Sequence, residues 1–256
     1  MPSIRDLFRY PVKGLSPERL GSVTMTAGQG FPNDRRFAIA HGGAGIDVCR
    51  PRWMPKRAFL ALDSLPALAA LSSRWDASSD RLEIRDRGRL VAAGRLGDAD
   101  ERRALEDFFN AFAGSAARGG VRIVESRGFS FTDAEAPLVS IVSHASIVEL
   151  ERSIGQAIDA RRWRANIVID SACAWAETTW VGKTLSIGQV RMRVVEPILR
   201  CAATCANPDS GERDINLPRW LAREHGEAVF GVYAEVLVGG SVNAGAQLVP
   251  SAGEGG

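Results

Sequence analysis

The residues with the clearest chemical potential lie in one short run, Glu196-Pro197-Ile198-Leu199-Arg200-Cys201-Ala202-Ala203-Thr204-Cys205-Ala206-Asn207-Pro208-Asp209-Ser210-Gly211. Alternating Val190, Met192 and Val194 read as a strand leading into it. Pro197 lacks a backbone donor and is expected to end the pairing. Asn-Pro-Asp-Ser-Gly is a run of turn formers. The chain should therefore leave a strand, present Arg200 and Cys201, and turn sharply. A thiol beside a guanidinium on irregular backbone suits a thiolate available for metal or sulfur chemistry. The alternative is a small apolar residue filling a strand end.

Four further stretches carry polar groups in turns or at strand ends. Tyr10-Pro11-Val12-Lys13-Gly14 is a tight turn displaying Lys13, one of only three lysines in an arginine-rich chain. Asp34-Arg35-Arg36-Phe37 opens a strand. Either cation can grip a phosphate, arginine bidentately; a solvated lysine and a surface ion pair are the plain alternatives. Arg164 and Asn166 stand just before Ile167-Val168-Ile169, on what reads as an exposed strand edge. Ser143 reads as the cap of a helix in which His144 and Ser146 occupy the first turn. A positive histidine is disfavoured at a helix N-terminus, so His144 reads as neutral, structural or exposed.

The elements that would position these groups are mostly strands. Strands are expected at 4–10, around Val23 and Met25, at 34–40, at 121–124 and at 137–142. Leu82–Ile84 and Leu90–Val91 form a hairpin across Asp86-Arg87-Gly88. Short helices are expected after Ser64 and at 217–225. A longer one at 98–112 carries Leu105, Phe108, Phe109 and Phe112 on one face. Arg50-Pro51-Arg52-Trp53-Met54-Pro55 is a Pro-rich connection, either a pocket wall or a packed loop. Ser115–Gly120, small and apolar-poor, divides the chain into domains at 1–115 and 121–250, with a flexible tail at 251–256.

At 256 residues, 45% hydrophobic and 24% charged, the composition is that of a globular protein able to bury a core. A net charge of +2 gives no general pull toward nucleic acid. No apolar run approaches membrane-spanning length, and the N-terminus lacks a signal-peptide core, so a cytoplasmic location is expected. Cys49, Cys173, Cys201 and Cys205 make neither a disulfide framework nor a ferredoxin-type cluster motif. Cys201 and Cys205 lack the companions a structural zinc site needs. No phosphate-binding Gly-rich loop or Gly-x-Ser-x-Gly elbow is present.

The motifs together resemble the MOSC domain and its N-terminal companion, the fold of the C-terminal part of molybdenum cofactor sulfurases and of the amidoxime-reducing proteins. Arg200-Cys201-x-x-Thr204 with Asn207-Pro-Asp-Ser-Gly resembles its cysteine signature, although relatives often have Asp at 207. Tyr10-Pro-Val-Lys-Gly and Asp34-Arg-Arg-Phe resemble the N-terminal motifs. Arg164-Ala-Asn166-Ile resembles an Arg-Pro-Asn-Ile motif, and Trp180-x-Gly-x-x-Leu-x-Ile-Gly a scaffold turn. The resemblance implies a mainly β, α+β architecture, a β-barrel-like MOSC domain packed on a β-rich N-terminal domain, with a few peripheral helices. It implies a molybdenum cofactor (molybdopterin) between the halves, with Cys201 as metal ligand and catalytic residue. Lys13, Arg35, Ser143, Ser146, Arg164, Asn166, Arg200 and Thr204 would be the cofactor-binding set. The implied reaction is reduction of N-hydroxylated compounds. With no iron–sulfur cluster in this chain, electrons would come from a separate protein, with neither nucleic acid nor membrane as partner. A sulfurtransferase carrying a Cys201 persulfide and a non-catalytic cofactor carrier are the alternatives.

Overall fold

The structure is a computed structural model that describes residues 1–251, and the expected tail beyond Ser251 lies outside the described residues. Ser251 itself is tied to the sheet, exchanging hydrogen bonds with the Thr184 backbone at 2.7 and 3.2 Å. The fold is mainly β, with three α-helices among the described residues. Its centre is an eight-stranded mixed sheet. The strand order is Val249–Pro250, Thr184–Ile187, Val190–Leu199, Val229–Val238, Val139–Ser143, Ile167–Asp170, Ser3–Arg9 and Glu18–Leu20. No pairing joins its two ends, so the ladder is open where a barrel-like domain was expected. A two-stranded ribbon, Ser22–Met25 with Gly240–Asn243, packs on it through Val23, Met25 and Val242.

The one parallel pair of strands among the described residues, Val139–Ser143 with Ile167–Asp170, is joined by helix His144–Ile154, the crossover that parallel neighbours require. Ile147 and Leu150 bury its inner face, and Gly155 stops it in the left-handed region. This crossover delivers Arg164 and Asn166 to the strand entry.

Strand pairing crosses positions 115–121 in two separate sheets. Ser3–Arg9, from the first half, pairs with Ile167–Asp170, and Val121–Glu125, from the second, pairs with Phe37–His41. A 3-10 turn, Gly114–Ala117, runs into this stretch with Ala117 buried.

Around Phe37–His41, a second core joins Leu15, Phe37, Trp75, Ile84, Leu105 and Phe109. It lies between the three-stranded sheet Leu71–Asp76, Arg81–Asp86, Arg89–Arg95 and helix Ala99–Ala113. The expected hairpin forms because Arg87 (φ 48°) and Gly88 (φ 80°) both take positive φ, as a primed turn requires. The long helix is capped as its sequence indicates, the Asp98 side chain accepting from the Asp100 and Glu101 amides. The helix expected after Ser64 is only a 3-10 turn, Pro66–Ala70, because Leu71 already begins a strand.

The strand before Cys201 also departs from expectation. It runs through Pro197 to Leu199, with register shifts between Val194 and Glu196 and between Pro197 and Leu199. Bulges of this kind absorb the missing proline donor without ending the strand.

Candidate active site

Where the two cores meet, a solvent-open cleft is lined by Lys13, Arg35, Arg164, Asn166, Arg200, Cys201 and Thr204. Residues spread over most of the chain thus converge on one cavity. Ser143 and Ser146 do not line it. Both are fully buried, and the Ser143 amide and Ser146 hydroxyl donate to Glu177 at 3.3 and 3.0 Å. Ser143 stands at the helix N-cap, but its hydroxyl pairs with Ser171 and makes no capping bond.

Cys201 follows the bulged strand in extended conformation (φ −118°, ψ 179°). Its carbonyl accepts from the Thr204 amide (3.1 Å) and hydroxyl (3.0 Å), so Thr204 shapes the cysteine's own turn. The turn is braced behind. Asn207 accepts from the Asp209 and Ser210 amides and donates to Asp214 at 2.7 Å. Asp214 also accepts from Arg162 at 2.7 Å. An aspartate at 207 would set two carboxylates together, so the amide suits this partner. Gly211 (φ +71°) must be glycine, since a Cβ there would stand 2.7 Å from the Ala67 Cα.

The cation facing the thiol is Lys56 as well as Arg200. Burial would lower the Lys56 pKa, but the nearby Cys201 sulfur, then Asp63, raise it. Lys56 also pairs with Asp63 at 3.2 Å. Asp133 and Tyr233 complete this wall, and sequence reasoning singled out none of the three. Lys56 had one signal, a rare lysine at the end of the Pro-rich connection. That connection is a packed loop, pinned by Trp53 Nε1 donating to the Thr132 carbonyl at 3.0 Å.

Arg35 and Arg164 both use left-handed backbone (φ 46° and 50°), and each guanidinium lies 4.3 Å from the Tyr10 ring centroid. Such conformations are held only where surrounding contacts enforce them. Arg35 pairs with buried Asp34 and donates to the Arg164 carbonyl at 2.8 Å. Asp34 in turn accepts from the Tyr10 amide at 2.8 Å. Burial alone would push Arg35 down, but Asp34 helps to reverse this and its pKa is raised.

Arg164 and Arg200 have no carboxylate partner among the described residues. Arg164 donates to the Leu15 carbonyl (2.8 Å), and Arg200 to the Phe230 (2.8 Å) and Trp163 (2.7 Å) carbonyls. The Nη2 atom of each is buried without a hydrogen-bond partner. Desolvation pushes both down to about 10. Asn166 is buried rather than on an exposed edge. Its Oδ1 accepts from Ser140 and its Nδ2 donates to the Phe8 carbonyl, stitching three strands beneath the arginines.

Cysteine sulfur and arginines without a carboxylate partner line one cleft, the donor chemistry that suits an anionic group with a soft ligand. The family model described as MOSC N-terminal beta barrel domain matches residues 1–119, and the MOSC domain model matches residues 128–249. The chain is 31% identical over 125 residues to the molybdenum cofactor sulfurase of Drosophila erecta, covering 44% of this chain and 16% of that protein. It is 35% identical over 96 residues to that of Drosophila pseudoobscura pseudoobscura, covering 36% of this chain and 12% of the relative. The matched stretch is thus a minor part of these relatives' length. Among solved structures, the YUAD protein from Bacillus subtilis aligns over 99% of this chain and 98% of its own, with 13% identity and a TM-score of 0.47. YiiM from Geobacillus stearothermophilus aligns over 44% of this chain and 54% of its own, with 20% identity and a TM-score of 0.36. With both domain models matched in order along nearly its whole length, the chain belongs to the MOSC family.

Proposed function

We propose that the cleft binds a molybdenum cofactor through Cys201 and that the protein is an oxidoreductase reducing N-hydroxylated compounds. The observation that carries this reading is the pair of buried guanidiniums of Arg164 and Arg200, two residues that line the cleft with Cys201, neither with a carboxylate partner and each with an Nη2 that has no hydrogen-bond partner among the described residues. A buried charge without a partner is costly, so these donors fit a phosphorylated, multiply anionic group. A thiolate is a soft donor suited to a transition metal.

Arg164 and Arg35 would hold the phosphate end, with Tyr10 as their shared platform. Arg200 would neutralise charge nearer the sulfur, and Thr204 orients the Cys201 backbone. Lys56, on the same cleft, would set a proton-bearing cation near the sulfur. A bound cofactor would supply two-electron redox chemistry, and the chain would supply binding and electrostatics. Substrate would enter through the open mouth beside Leu199, which is 73% exposed. Electrons would come from a separate protein, and the setting would be cytoplasmic. No helix of the described residues is long and apolar enough to cross a membrane.

The test is metal analysis by mass spectrometry, with pterin fluorescence, on protein made in cofactor-competent cells. Wild type should carry molybdenum and pterin, and Cys201→Ser should lose the metal while keeping its circular dichroism spectrum. Absence of both from wild type overturns the reading. Sulfane sulfur on Cys201 without metal would instead support sulfur transfer, for which the partial exposure of this thiol beside Lys56 speaks.

A further inference from the structure

Lys13 is the cation that the family motif aims at the anion, yet its ammonium is already engaged. It is 6% exposed, and of its three N–H donors one goes to the Phe131 carbonyl at 2.9 Å and one to Asp133 at 2.5 Å. Lys56 and Arg35 have other carboxylates, Asp63 and Asp34. Lys13 has only Asp133 within ion-pair distance among the described residues.

Asp133 is held firmly at the backbone and loosely at the side chain. Phe131, two residues earlier, donates its amide to the Arg35 carbonyl at 2.9 Å and packs edge-on against Phe59 and Phe129. The Thr132 carbonyl accepts from Trp53, and the Thr132 hydroxyl donates to the Ala134 carbonyl at 2.7 Å. From this anchored stretch the Asp133 side chain, 52% exposed, reaches over the cleft to a buried lysine.

We propose that Asp133 is a built-in competitor for anions in this cleft, a carboxylate that a phosphate-type ligand must displace from Lys13. The proposal rests on reading the cleft as an anion site. A charge-assisted hydrogen bond at this distance is among the stronger polar contacts, and any anion recruiting Lys13 gives it up. Asp133 also lies in the field of Lys56 and Arg35. Its negative charge therefore offsets part of the positive surplus that attracts a ligand. Turning the side chain toward solvent, where half of it already is, frees Lys13 without moving the backbone.

The experiment is equilibrium binding of inorganic phosphate by isothermal titration calorimetry, using the full chain as wild type, D133N, K13A, K13A/D133N and R164M. Asparagine keeps the shape and an acceptor but removes the charge, and thermal melts establish that each variant is folded. D133N should bind phosphate about tenfold more tightly, the scale of one charge-assisted contact. In the K13A background the same substitution should change affinity less than about twofold. Equal or weaker phosphate binding by D133N overturns the proposal, as does an undiminished gain without Lys13. R164M tests the anion-site reading separately. Phosphate binding unchanged in R164M removes Arg164 from that reading, while the D133N comparison still decides the competition.

Discussion

The two walls of the cleft treat positive charge in opposite ways. On the wall built by the first half of the chain, Lys13, Arg35 and Lys56 each face a carboxylate: Asp133, Asp34 and Asp63. On the wall built by the second half, Arg164 and Arg200 donate only to backbone carbonyls. Among the arginines the pKa values follow the contrast, raised for paired Arg35 and pushed down to about 10 for Arg164 and Arg200, whereas burial lowers that of Lys13 despite Asp133. The first wall is already close to neutral and positions; the second carries the demand for an anion. Stability and binding should therefore separate between arginines that share one tyrosine ring.

The largest effect expected is on folding. Arg35→Met strands Asp34, 2% exposed, without its cation. Breaking a buried pair in this way costs about 3–5 kcal/mol, and urea unfolding should show a loss of that size. Arg164→Met strands no carboxylate. It gives up one hydrogen bond to Leu15 but also removes a desolvated, unpaired charge. Its stability should stay within about 1 kcal/mol of wild type, while phosphate affinity falls more than about tenfold. Equal destabilisation by the two substitutions would erase the distinction between the walls. A smaller step sharpens it. Tyr10→Phe keeps the ring beneath both guanidiniums and removes a hydroxyl that is buried without a partner. Phosphate affinity should be unchanged in Tyr10→Phe and reduced in Tyr10→Leu, because only leucine loses the aromatic face.

Much of this site could be read from local patterns, and the rest could not for a definite reason. Turns at Lys13 and Arg35, the strand entry at Arg164 and Asn166, and the Arg200-Cys201-Thr204 run are each short motifs, so their types and spacing survive in one dimension. What pairs with them does not. Asp133 meets Lys13 across 120 positions, and Phe131 meets it across 118. Lys56 reaches Cys201 only because the two halves close on each other. Ser143 and Ser146 show the opposite case: their place at the helix start was legible, but their hydroxyls meet Ser171 and Glu177, 28 and 31 residues on, rather than lining the cleft. The open sheet escaped notice likewise, since alternation marks each strand but says nothing of whether the first and last ones meet.

Glu177 carries the contrast one step further, as a buried anion on the side of the fold that holds the unpaired cations. It is fully buried, accepts from Ser146 and from the Ser143 amide, and makes no ion pair among the described residues. Burial raises its pKa, with Ser146, Ser143 and the charge of Arg200 opposing. The native state therefore binds the proton more tightly than the unfolded chain. The stability this group contributes is full below the unfolded carboxyl's pKa, about 4.3. It is lost as pH rises through the higher native value. Glu177→Gln keeps an acceptor for Ser146 but cannot titrate. Relative to wild type it should gain stability between about pH 4 and pH 7 and lose that advantage in acid, as urea unfolding at stepped pH would show. A difference that stays flat with pH would mean that Glu177 is as readily ionised in the fold as in the unfolded chain. Arg200 would then be balanced through space by a carboxylate it does not touch, and the anion demand of its wall would rest on Arg164 alone.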